Sequence, residues 1–478
     1  MQNIYILLKV FNVFLFMPFF VKKLFDKAAV KLDFTIFYSY ALSICLISWL
    51  YVLLLRVIPY QSHAFYIVST ALPFVLFFIY HYKEAYGFCA RLYCSLKYMD
   101  IQNKIFAYLF FLVVVLIVLN YFNMPVLGND SLQYIYLSKL INSLHDVSFY
   151  PSTSPVDLRG FIAPWSHPLG YPGLLAYAQL GLTDQHDAVL KLFSLSALLM
   201  TAFGMATCLF PKDRRADFFG ATLLVATPLV FGGQLEVHVD TTRILMFFAS
   251  FLFLYDYMKN ASGSDSIQYD VKAFLILGIL NGYGCFMHSS GILTYVMCIG
   301  SYLFVFLFRH RAAFFDVSFL RRQVILISLS TCVMLLIISI DLYKTIKVHG
   351  RILSDLENIK IYSYLKSDYA SYLQLSRGLD DLSTKIVSGL GRIFTDIDLF
   401  GAGYILYLLI LPFAVKNMLA KKELSIETMS HLNVLLFFSL ALTCTFIGIN
   451  TFVFNPRYLL QIQPIVCLAV ACQLKRIW

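Results

Sequence analysis

The chain has 478 residues, 60% of them hydrophobic and 13% charged, with a formal net charge of +10 and a mean hydropathy of +0.75. Soluble domains carry roughly 25% charged residues, so this composition excludes a soluble enzyme, a disordered chain and a disulfide scaffold. It points to an integral membrane protein with many spans, whose positive charge speaks to orientation and not to nucleic-acid binding.

Thirteen segments are apolar enough to be candidate spans: 3–21, 33–58, 65–80, 105–123, 188–210, 217–233, 240–257, 273–287, 291–308, 323–343, 400–415, 432–450 and 459–474. The predicted fold is all-α, a polytopic transmembrane helix bundle of about 11–13 spans with two long external loops. Lys9 in the middle of the first segment suggests that this segment lies in the interface, and it lacks the small-residue cleavage site of a signal peptide. The pair 273–287 and 291–308 is short enough to be one span plus a re-entrant piece.

Basic residues fall in alternate loops. One set holds Lys22, Lys23, Lys27 and Lys31, then Lys83, Arg91, Lys97 and Lys104, then Lys212, Arg214 and Arg215, and continues in that phase to Lys475 and Arg476. The intervening short loops, PYQSHA, GGQLEVHV, HSSG and NTFVFNPRY, hold one basic residue, Arg457. By the positive-inside rule the first set is cytoplasmic. Residues 124–187 and 344–400 then form the two external loops, long enough to be functional. Neither contains any of the ten cysteines, which suits an oxidising outer compartment. No GxxxxGK[ST] or GxGxxG stretch signals a nucleotide site.

The first external loop opens on VLGNDSLQYIYLSKLINSLHD. Leu132, Ile135, Leu137, Leu140, Ile141 and Leu144 recur at helical spacing, predicting an amphipathic helix on the membrane surface. Asp130 is either its N-cap or a carboxylate aimed into a cavity, and one residue can do both. FIAPWSHPLGYPGL follows, where Pro168 and Pro172 suit a helix start and His167 is a site candidate. In GGQLEVHVDTTRILMFF, residues Glu236, His238, Asp240 and Arg243 meet a membrane boundary, where charges are costly unless paired or wetted. Asp-Thr-Thr reads as a helix cap with Arg243 snorkelling to the interface, or Asp240 is a second acid in the Asp130 cavity. His288 stands between two short helices. Arg457 opposes the positive-inside trend and asks for an anion, a headgroup or a substrate phosphate that its planar fork can bind at two points.

The order of these features resembles a family. An external Asp130 is followed four residues later by Tyr134 and a surface helix. A H-P-x-G-x-P-G stretch leads towards the next span, a second external acid begins V-D-T-T-R, and the chain ends with R-Y-L-L-x-x-x-P from Arg457 to Pro464. Over residues 105–470 this resembles the GT-C superfamily of polyprenyl-phosphate-sugar-dependent glycosyltransferases. That superfamily includes protein O-mannosyltransferases, lipid A aminoarabinose transferases and O-antigen glucosyltransferases. Ser131 stands where many members carry a second acid.

The resemblance implies N-terminal membrane helices over 1–104, a GT-C-like core over 105–343 with its catalytic loop at 124–187, an external loop over 344–400 and C-terminal helices over 401–478. It implies a bacterial inner-membrane enzyme with its site on the external, periplasmic face. The donor would be a polyprenyl-phosphate-linked sugar, the acceptor a glycan, lipid or protein, and the surroundings the lipid bilayer, with no nucleic acid. Asp130 would be the catalytic base and Asp240 its auxiliary. Arg457, Tyr458, Tyr134, His167, Arg243 and His288 would bind substrate. Asp130 and Asp240 together offer the hard oxygen ligands that Mg2+ or Mn2+ takes. In the second external loop, Tyr362, Tyr364, Tyr369 and Tyr372 offer faces for sugar rings. The alternatives are an O-antigen polymerase or ligase using a polyprenyl-pyrophosphate donor, and a lipid or solute transporter.

Overall fold

The computed structural model describes residues 2–28, 30, 32–84, 86–87, 101–126, 129–150, 168–182, 187–208, 215–231, 237–261, 267–309, 317–349, 401–420, 425–446 and 456–475. Among them every regular element is helical. In chain order these are α1 Gln2–Ala28, α2 Thr35–Val57, α3 His63–Tyr80, α4 Ile101–Asn123, α5 Asn129–Leu144, α6 Gly170–Gln179, α7 Asp187–Cys208, α8 Arg215–Val225 and α9 Pro228–Phe231. There follow α10 Asp240–Ala261, α11 Ile267–Met287, α12 Gly291–Arg309, α13 Val317–His349, α14 Gly403–Ala420, α15 Ile426–Phe446 and, after a 3-10 turn at Pro456–Ile462, α16 Gln463–Leu474.

Eight of these helices are long and apolar enough to cross a membrane: α1, α2, α3, α4, α7, α11, α13 and α15. Three shorter ones, α12, α14 and α16, are apolar over 10–17 residues. The chain is an all-α, multi-pass membrane bundle. The segments at 273–287 and 291–308 are two helices, of which α11 is long and apolar enough to cross a membrane and α12 is one of the shorter ones. Between them Gly291 is obligatory, because a Cβ there would lie 2.3 Å from the Cys285 nitrogen.

Contacts sort the helix ends into two sets that follow the predicted alternation. At one end Lys259 Nζ meets Asp33 Oδ2 at 2.7 Å, Lys23 pairs with Glu84, and Arg322 Nη2 meets Asp270 Oδ2 at 2.5 Å. There Asp256 Oδ2 accepts the backbone N–H of Asp33 at 2.7 Å and so caps the start of α2 from a distant helix. At the other end Arg56 Nη2 meets Asp341 Oδ1 at 2.9 Å, His145 Nε2 lies 3.2 Å from His63 Nδ1, and Asn120 donates to the Phe231 carbonyl.

Lys9 departs from expectation. The first segment is one helix of 27 residues with a π-turn at Asn12–Phe16, and Lys9 is fully buried in it instead of lying in the interface. Its Nζ donates to the carbonyls of Ala178 at 2.6 Å and Leu180 at 2.8 Å. These belong to the C-terminal end of α6, a ten-residue helix with every residue buried. A helix end leaves carbonyls without intrahelical partners, and a cation there both bonds them and complements the dipole. The opposite end of α6 meets an anion, because Asp341 Oδ2 accepts the Leu169 N–H at 2.9 Å. Charge-assisted bonds contribute about 1.5–3 kcal/mol each, so α6 is clamped at both ends by residues from α1 and α13. Gly170 lets it abut α11, since a Cβ would sit 2.2 Å from the Phe286 carbonyl oxygen.

The predicted surface helix is α5, which packs on α6. Ile135, Leu137 and Ile141 are buried, as an amphipathic stripe requires, whereas Leu132 and Leu144 are exposed. Lys191 of α7 donates to the Tyr121 carbonyl at 2.7 Å and to that of Met124. It thereby closes the C-terminus of α4 just before the chain turns into α5.

Candidate active site

Where α5, α6, α7 and the start of α10 converge, polar side chains gather in a buried cluster. Asp240 is the first residue of α10 and 2% exposed. Its Oδ1 meets Arg243 Nη2 at 2.6 Å, one helical turn on. Arg243 is 5% exposed. The snorkelling expectation is therefore wrong: the guanidinium turns inward onto the carboxylate, because the residues flanking it on α10 are buried and a pair costs less than a lone charge.

His238 Nδ1 lies 3.2 Å from the Asp240 backbone nitrogen, whose N–H it accepts, and 3.2 Å from Asp240 Oδ2. A neutral ring with its proton on Nε2 satisfies the first contact; a protonated Nδ1 would serve the second. Val237, just before it, is buried with φ +47°. A β-branched residue in the left-handed region costs about 1–3 kcal/mol, and such strain concentrates at functional sites.

Two further elements reach this point. Tyr134 of α5 sets its ring edge-on to Tyr171 at 5.1 Å and to His238 at 6.1 Å. Thr241 Oγ1 donates to the His238 carbonyl at 2.9 Å, so Ser194 Oγ, 3.2 Å away, is left to donate to Thr241. Ser194 in turn accepts from the Tyr171 hydroxyl at 3.1 Å. One hydrogen-bonded chain thus ties α6, α7 and α10 together. His288 lies within electrostatic reach of Asp240; its Nδ1 accepts the Ser290 N–H at 3.0 Å, which leaves Nε2 as its donor.

The structure therefore brings together Tyr134, Asp240, Arg243 and His288. α5 begins at Asn129, so Asp130 is its second residue, inside the first turn and not at the expected N-cap position, one turn before Tyr134; its side chain lies outside the described residues. His167 and Glu236 lie outside them altogether, as do Tyr362, Tyr364, Tyr369 and Tyr372. Arg457 and Tyr458 stand on the 3-10 turn that packs against α10, with their side chains likewise outside. The cluster adds His238, Tyr171 and Ser194. The first was legible in the H-x-D-x-x-R spacing; the other two carry no local signal.

Of the two carboxylates offered for Mg2+ or Mn2+, only that of Asp240 is among the described side chains. Asp240 Oδ1 is taken by Arg243, and among the described residues no three His, Cys, Asp or Glu side chains converge. Comparison with protein-family models, curated proteins and solved structures found no match.

Proposed function

We propose that the chain is a GT-C-type glycosyltransferase. It moves a sugar from a polyprenyl-phosphate donor to a glycan, lipid or protein acceptor on the outer face of a bacterial inner membrane. The observation that carries this reading is the contact, through Tyr134, between the helix that starts at Asn129–Asp130 and the buried His238–Asp240–Arg243 cluster. It joins the two parts of the sequence that the resemblance makes catalytic.

In this reading the acceptor hydroxyl oxygen bonds to the anomeric carbon as the bond from that carbon to the phosphate oxygen breaks. The electron pair leaves on the polyprenyl phosphate and the configuration inverts. Asp130 takes the hydroxyl proton as general base. Arg457 meets the charge that grows on the departing phosphate. Asp240, held by Arg243, orients the cluster and is not itself the base, because a carboxylate in a buried ion pair is a poor proton acceptor. Tyr134, Tyr458, His167 and His288 line the path of the sugar.

Purified protein in lipid nanodiscs, given radiolabelled polyprenyl-phosphate hexoses and an acceptor-bearing membrane extract, should release polyprenyl phosphate and label the acceptor. Turnover of pyrophosphate-linked repeat units instead would make it a polymerase or ligase. The orientation is tested separately: Ser152→Cys should react with an impermeant thiol reagent in intact cells and Ser95→Cys should not.

One observation favours a second reading. A fully buried short helix clamped at both ends by charges, as α6 is by Asp341 and Lys9, also suits a transporter. A transporter would move the lipid-linked sugar without consuming it.

A further inference from the structure

The strongest feature outside this cluster is a pair of imidazoles. His145 Nε2 and His63 Nδ1 are 3.2 Å apart, with the rings nearly perpendicular and their centroids 4.4 Å apart. His63 opens α3; His145 follows the last residue of α5. The junction is held in an unusual backbone: His145 has φ +49° and Tyr60 has φ +63°, and the Tyr60 N–H donates to the His145 carbonyl at 3.0 Å. Left-handed conformations at two non-glycine residues store strain that the contacts between them must hold.

We infer that the His63–His145 pair is an acid-sensitive latch that fastens the C-terminal end of α5 to the bundle. The argument is a proton count. A hydrogen bond between two imidazole nitrogens needs one proton between them. With a proton on both facing nitrogens, two N–H groups point at each other and two positive charges share the contact.

The groups around the pair do not relieve this. Asp146 accepts the Ser148 N–H at 2.9 Å and meets the Ser148 and Tyr60 hydroxyls, and among the described residues it pairs with neither ring. Tyr66, whose ring centroid is 5.9 Å from that of His145, spends its hydroxyl proton on the Ile58 carbonyl. Lys9 is the nearby charge from α1 and is of the same sign as a protonated histidine. The closed contact thus has room for one proton between the two facing nitrogens, whereas two separated imidazoles can each carry one there. Opening takes up protons, so it is favoured as pH falls and disfavoured as pH rises.

The latch bears on α5, the helix that carries Asp130 in its first turn and Tyr134 one turn on. Its consequence for activity rests on the proposed transferase reading, and the latch itself does not. Hydrogen–deuterium exchange tests it directly on the full chain in lipid nanodiscs, comparing peptides from residues 129–150 at pH 7.5 and 5.0 after correction for intrinsic rates. The wild-type protein should lose protection about tenfold across that interval. His63→Gln and His145→Asn, neither of which titrates, should show no such change; asparagine tolerates the left-handed backbone at 145. Either variant alone suffices if the other does not insert. Constant protection in the wild type, or an equal loss in the variants, overturns the latch. No sugar donor enters the experiment, so that outcome leaves the transferase reading standing, and a failure of transfer leaves the latch standing.

Discussion

Two ion pairs at opposite ends of the bundle are treated differently. At the end with Lys259 and Asp33 the paired side chains are about half exposed, 49% and 48%. They tie helix ends together in contact with water, where such pairs contribute about 0–1 kcal/mol. At the opposite end Asp240 and Arg243 are 2% and 4% exposed, with two histidines beside them and a strained Val237 next in the chain. Burying a pair so deeply is rarely a gain in stability over apolar packing. A fold that only needed to close its helix ends had the first solution available, and it used the second where α5, α6, α7 and α10 meet. Under the proposed function, the exposed pair holds helix ends and the buried pair is the one set at the site of chemistry.

Substitutions sharpen that contrast. Asp240→Ala or Arg243→Ala leaves its partner buried and alone, and should lower stability by about 3–5 kcal/mol, read as an early loss of the monodisperse peak in a detergent melting series. Lys9→Met keeps the length of the side chain but strands the carbonyls of Ala178 and Leu180. It should cost about 1–3 kcal/mol in the same measurement, and protease sensitivity should rise around residues 180–187. Lys259→Ala should cost at most about 1 kcal/mol, within the scatter of the melting series. A large loss for Lys259→Ala, or none for Asp240→Ala, would erase the distinction between the two pairs.

Hydropathy and loop charge were enough to read the bundle from sequence, because spans and their alternation are local properties. Eleven of the thirteen apolar segments fall on helices that are long and apolar enough to cross a membrane or are shorter apolar helices; 217–233 is instead broken into Arg215–Val225 and Pro228–Phe231, and 240–257 lies on Asp240–Ala261, which is not among them. The charged boundary at Asp240 was legible for the same reason: a carboxylate and an Arg one turn apart at a helix start stand out against an apolar run. The start of the short helix Gly170–Gln179 was legible in Pro168 and Pro172, but its full burial and its clamped ends were not. What defines it are Asp341 and Lys9, which lie 172 and 169 residues from the groups they bond. A single charge in a hydrophobic window reads as a reason not to span, and only its partner turns Lys9 into a helix cap. Tyr171 and Ser194 were hidden likewise, since each matters only through the chain that ends at Thr241.

The central claim is that Asp130 is the proton acceptor for sugar transfer, and one substitution tests it. Asp130 lies in the first turn of α5 and Asn matches it in size, giving up at most about 0.3–1 kcal/mol of interaction with the helix dipole, so Asp130→Asn preserves the start of α5 while removing the base. With polyprenyl-phosphate sugar as donor and the purified variant in nanodiscs, transfer should fall by roughly 10²–10⁴-fold while the melting behaviour stays that of the wild type. Transfer within a fewfold of wild type would contradict the account and reduce Asp130 to an acid in the first turn of a helix.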